Sequence, residues 1–154
     1  ILDLPPAFDE LHEDHRKVME ADLARNFADE YSRGKKDLSM VLREMIERGQ
    51  RVSDSDYDKA IERQADYDAL LQEILDEYDA ILTPATPGPA PAGLEATGSP
   101  VMTTIWTFCG TPALNVPLLQ RPDGLPVGVQ VVGARDDDAR LFRTARWLLD
   151  VLHD

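Results

Sequence analysis

Residues 123–142 run DGLPVGVQVVGARDDDARLF, and within them the apolar period changes from two to about 3.6. Val127, Val129 and Val131 alternate with Gly128, Gln130 and Val132, which predicts a strand over Val127–Val132 with one branched apolar face. The other face is thin at Gly128, so another group can approach the backbone there. Further on, Leu141, Phe142, Ala145, Leu148, Leu149 and Leu152 form one broad stripe, the signature of an amphipathic helix. Asp136, Asp137 and Asp138 stand at its start, where the helix dipole favours negative charge and a carboxylate can cap free N–H groups. Ahead of the strand, Pro122-Asp123-Gly124 predicts a turn: proline presets the first angle and glycine accepts a positive one.

Working back from this stretch, Ala113–Leu119 reads as a second strand, with Pro117 marking an edge or a bend. Thr103–Cys109 suits one or two helical turns, ended by Gly110 and Pro112. Residues 84–100 hold Pro84, Pro87, Pro89, Pro91 and Pro100 with three glycines, a loop long enough to suggest a functional role or disorder. Ala80–Thr83 is a short apolar run bounded by Pro84, hence a strand. Everything before Tyr78 is helical in pattern. Leu11, His15, Met19, Leu23, Phe27 and Tyr31 recur at every fourth position in a helix from Asp9 to Arg33, with Gly34 as a left-handed stop. Asp37 or Ser39 opens a short helix to Arg48, carrying Val41, Leu42, Met45 and Ile46 and stopped by Gly49. Ser53 caps a third helix to about Tyr78, with Tyr57, Ile61, Ala65, Leu71, Ile74, Leu75 and Tyr78 apolar. The expected class is α/β (mixed): N-terminal helices, about three short strands and a C-terminal helix. Residues 1–154 form a single domain or domain fragment, helical over 1–78 and strand-loop-strand-helix over 79–154.

With 154 residues the chain can bury a core, and it has no apolar run near the ~20 residues of a membrane helix. The net charge of −13 opposes binding to a nucleic-acid backbone and keeps the protein dispersed. One cysteine excludes an internal disulfide and a cysteine-based zinc site. The chain opens on Ile1 with no basic-then-apolar leader, so no signal peptide is expected and the cytoplasm is the default compartment.

No nucleophile motif is present: neither G-x-S-x-G, nor a phosphate loop, nor a dinucleotide turn. Ser99 has no base near it in sequence and reads as a loop serine. Cys109, in an apolar context, reads as a buried inert thiol. His12 and His15 lie one turn apart and have Asp9 and Glu20 within reach as further metal ligands, yet a site also needs a fourth ligand and an outer shell, so no metal or other cofactor is expected.

Three stretches carry a family resemblance: YDAILTPATPGPAP (residues 78–91), TTIWTFCGTPALNVPL (103–118) and DGLPVGVQVVGARDDDARLF. Leu82-Thr83-Pro84, Trp106-Thr107, Gly110-x-Pro112-Ala113 and Gly124 to Gln130 resemble the C-terminal end of the amidase signature hydrolases. That resemblance implies a fragment of a large mixed sheet with covering helices. It implies an activity, hydrolysis of a carboxamide C–N bond through an acyl-enzyme, whose lysine and two serines lie in segments not found in this chain, so no catalytic residue is assigned. It places Trp106 and Thr107 beside the acyl-binding pocket. It aligns Asp137 with an acidic residue that holds the substrate's amino group in the glutamine-dependent amidotransferase branch. The implied partners are a small-molecule amide and either a second copy of the chain or the absent N-terminal portion, with no nucleic acid and no membrane. A non-enzymatic helical interaction module and an amidotransferase component are the alternative readings.

Overall fold

The computed structural model describes residues 1–122 and 124–153; Asp123, in the expected turn, lies outside the described residues. The backbone forms two compact units, Ile1–Asp66 and Tyr67–Asp154. Their elements are α1 (Leu11–Asn26), α2 (Ala28–Gly34), α3 (Met40–Gly49), α4 (Asp54–Glu77), β1 (Ile81–Pro84), α5 (Val101–Cys109), β2 (Ala113–Gln120), β3 (Pro126–Val132) and α6 (Asp138–His153). The division falls inside α4, upstream of the change in composition at residue 78.

In the first unit, the expected single helix from Asp9 to Arg33 is two. The backbone turns at Phe27, with φ −101° and ψ 18°, and Phe27 is exposed. The every-fourth-residue row is not the buried line either. Leu11, Asp14, Ala21 and Ala24 are buried, whereas Met19 is exposed. A row at spacing four drifts around a helix of 3.6 residues per turn, so residues at spacings of three and seven hold the face instead. Gly34 ends α2 at φ −138°, not in the left-handed region. Ser39 and Ser53 do cap their helices, accepting from Leu42 N at 3.2 Å and Asp56 N at 3.1 Å.

Two carboxylates are buried in this unit. Glu20 takes a forked pair from Arg48, Nη2 at 2.6 Å and Nε at 2.9 Å, with Arg16 Nη1 at 3.0 Å. Asp14 is held by Arg63, which also reaches Glu10 at 2.9 Å. Fixed guanidinium donors of this kind are what make a buried carboxylate tolerable. Gly49 ends α3, but its main task is contact: a Cβ there would lie 1.8 Å from the Glu20 carbonyl oxygen on α1. Gly49 therefore lets α1 and α3 touch backbone to backbone, and the Arg48–Glu20 fork bridges the same two helices.

The second unit contains a three-stranded antiparallel sheet in the order β1-β3-β2. β2 is an outer strand, and its register shifts between Val116 and Leu119, around Pro117, as the proline required. Val116 and Val131 pack with Leu141 and Ala145 of α6, and Leu114, Leu118, Leu148 and Leu149 close in around them. Each fully buried aliphatic side chain here contributes roughly 1.5–3 kcal/mol. The α6 stripe is narrower than its sequence suggests: Phe142 and Leu152 are about 60% exposed, as is Trp147. Helices combined with a small sheet are thus the observed class.

Gly49→Ala is expected to lower stability by about 1–3 kcal/mol, because backbone and not a flexible tip blocks the added methyl. Gly88→Ala, with open space around it, should stay within about 0.5 kcal/mol of the parent. Urea unfolding of both variants checks the contrast.

Candidate substrate groove

The sheet has two faces with different tasks. Residues 114, 116 and 118 of β2 join the α6 core, so residues 113, 115 and 117 fall on the opposite side. There they meet Gly128 and Gln130 of β3 as the floor of a groove of about 1050 Å³. Its walls are the loop residues 85–91 and 97–99 on one side and α5 on the other. The thin face at Gly128 is used by a neighbour: a Cβ there would lie 1.9 Å from Asn115 Oδ1, so the Asn115 side chain occupies the space.

Helix α5 begins at Val101, earlier than expected. Pro100 O accepts from Thr103 N, Thr104 N and both threonine hydroxyls, which builds the first turn. It ends at Gly110, φ 67°, with Thr111 N bonded to Trp106 O and Gly110 N to Thr107 O. This geometry brings Trp106 and Thr107 to the groove together. Trp106 is 4% exposed and its indole Nε1 has no hydrogen-bond partner among the described residues. Thr107 is exposed on the lining.

Gln130 is the residue that sequence reasoning passed over. It is 2% exposed. Its amide nitrogen donates to Thr83 Oγ1 at 2.7 Å and to Met102 O at 2.6 Å, with Pro84 O at 3.2 Å. It therefore ties β3 to β1, to the start of the proline-rich loop and to the first turn of α5. The available signal was a lone amide inside the run Val127–Val132.

The other candidates sit as follows. Asp137 does not line the groove. Asp136 takes φ 60°, which makes Asp137 the cap of α6: its Oδ1 accepts from Arg140 N at 3.3 Å. Ser99 does line the groove, and its Oγ accepts from Val101 N at 3.3 Å. No lining side chain can take its proton, since none is a histidine, lysine or carboxylate. Cys109 is fully buried; burial, then the Asp68 charge, pushes its thiol up to about 12 against a smaller opposing pull from Arg135. Burial, then the charge of His12, lowers the His15 pKa. Among the described residues no three His, Cys, Asp or Glu side chains converge on a metal position, and no helix is long and apolar enough to cross a membrane.

Likeness to known proteins gives the class of this scaffold of helices and a small antiparallel sheet with a cleft beside the loop after β1. The family model described as Amidase matches residues 7–142, so the chain belongs to the amidase signature family. A solved structure described as an amidase superimposes with a TM-score of 0.87 at 26% identity, over 97% of this chain and 36% of that one. Two glutamyl-tRNA(Gln) amidotransferase polypeptides, both the A component of that enzyme, also match over 82 residues. The one from Thermotoga maritima is 40% identical and the one from Oceanobacillus iheyensis 34%. Each match covers 49% of this chain and 17% of the relative, so the chain spans a small part of the proteins it resembles.

Gln130→Glu should cost about 1–3 kcal/mol at pH 7, because a carboxylate would face three oxygen acceptors. The introduced carboxyl is protonated more readily in the folded state than in the unfolded one. The deficit should therefore be smaller at pH 4 than at pH 7 in urea titrations. Cys109 should resist iodoacetamide at pH 7 in the native protein and react fully once unfolded, as followed by mass spectrometry.

Proposed function

We propose that this chain builds one wall of the substrate pocket of an amidase that hydrolyses a carboxamide C–N bond, while the attacking serine and its serine and lysine partners come from outside these 154 residues. The observation that carries this reading is the groove itself: it sits on a scaffold matching an amidase over nearly the whole chain, and Trp106 lines it. The indole offers a flat apolar surface to an acyl group. Thr107 is exposed beside it and presents a hydroxyl to the amide. Gln130 acts through others, fixing the loop and α5 against the sheet. The carbonyl carbon, so placed, would be attacked by the external serine, with the acyl group passing to that oxygen and ammonia or an amine leaving. Water then releases the acid.

The amidotransferase reading is favoured by the names of the sequence relatives. Under it Asp137 would hold the substrate's amino group. The cap it makes to Arg140 N, and its place off the groove, support helix capping instead.

The outer strands β1 and β2, together with exposed Leu82, Leu119, Phe142 and Trp147, support association with the absent portion, or self-association when that portion is missing. The chain alone should release no ammonia from simple carboxamides above buffer. Co-expressed with a segment bearing the family's lysine and serine loop, it should co-purify and give turnover. Turnover by the purified chain alone would overturn the assignment.

A further inference from the structure

Helix α5 is held at both ends by residues from elsewhere in the chain. Gln130 fixes its first turn through Met102 O. The grip on its last turn comes from Arg135, in the connection between β3 and α6. Arg135 Nη2 donates to the Cys109 carbonyl oxygen and lies 3.4 Å from Asp68 Oδ2 on α4. One Nη2 carries two N–H groups, enough for a carbonyl and a carboxylate together. A cation at a helix C-terminus also meets the carbonyl end of the dipole. Asp68 is held in turn by Gln72, whose Nε2 donates to its Oδ1 at 3.2 Å. The guanidinium lies over Gly110, where a Cβ would come within 2.9 Å of Nη2. Next to these residues the rings of Tyr67 and Phe108, both buried, stand 6.2 Å apart. Gly133 N, two residues before Arg135, bonds Pro112 O at 3.0 Å. The last turn of α5 and the bend after it are therefore tied both to α4 and to the end of β3.

We propose that Arg135 is a positioning residue of the pocket: by gripping the end of α5 it sets where Trp106 and Thr107 stand on the groove, and with them the seat of the acyl group. This rests on the amide-pocket reading above and adds to it a residue outside the pocket. Arg135, Asp68 and Cys109 are not part of the groove lining, so they act on the substrate only through α5. Trp106 and Thr107 are the residues whose carbonyls receive the helix cap, from Thr111 N and Gly110 N. Those two bonds close while Gly110 keeps its left-handed φ of 67° beneath the guanidinium. Loss of the grip frees the last turn, so this wall of the groove moves while the floor on β2 and β3 stays.

The test compares the whole chain with Arg135→Gln and Arg135→Lys by ¹⁵N–¹H correlation spectroscopy and amide hydrogen exchange, with Trp147→Phe used to assign the Trp106 indole signal. In Arg135→Gln the Gly110 and Thr111 amides should exchange about tenfold faster and the indole signal should move, while Thr103 and Thr104, at the end held by Gln130, stay within about twofold of the parent. Arg135→Lys keeps the charge without the planar guanidinium and should fall between the two. Uniform acceleration through α5, β3 and α6 would signify a general loss of stability and overturn the inference, as would unchanged Gly110, Thr111 and indole signals. Benzamide then probes the seat itself. It should shift the indole of the parent, with an apparent Kd about threefold weaker in Arg135→Gln. Equal affinity in the two proteins overturns the inference and leaves the amide pocket standing. An indole that benzamide does not move in the parent takes down the pocket reading, and the inference falls with it.

Discussion

The amide nitrogen of Gln130 lies among three oxygens from two segments: the Thr83 hydroxyl and the Pro84 carbonyl of β1, and the Met102 carbonyl of α5. A buried amide left unpaired would be costly, so these bonds hold each other in place. They fix where β1 ends, where the proline-rich loop departs and where α5 starts. The groove is the space those three constraints leave open. Trp106 sits one turn along the helix whose first turn Gln130 anchors, so the site depends on a residue in the middle of the sheet.

Much of this architecture was legible in the sequence because it rests on local rules. The period-two run from Val127 to Val132 had to be a strand, and Pro117 had to disturb its neighbour; both hold. Asp136 to Asp138 had to start a helix, though not until Asp136 is seen at positive φ does Asp137 become the cap. What pattern could not reveal is pairing at a distance. Asn115 fills the gap above Gly128, and Gln130 reaches β1 and α5, because β3 pairs with Asn115 of β2 on one side of Gln130 and Thr83 of β1 on the other. Nothing within either segment announces that register. In the same way, the break at Phe27 and the exposure of Phe142 depend on packing that a periodic stripe does not encode.

The first unit shows the same principle through charge. Glu20 and Asp14 look like solvent-facing acids in a chain of net charge −13, yet both are buried. Each is matched to an arginine far away in sequence, Arg48 and Arg63. Such pairs add little over apolar packing, but a carboxylate stranded without its arginine is severely destabilising. The Glu20–Arg48 pair thereby ties α1 to α3, where Gly49 admits the close approach of the two backbones.

Scaffold and substrate choice are separate properties, since a fold can keep its strands and helices while its lining changes. The likeness to amidotransferase polypeptides covers 49% of this chain, and the residues that organise the groove, Gln130 and Gly110 among them, carry no information about the ligand.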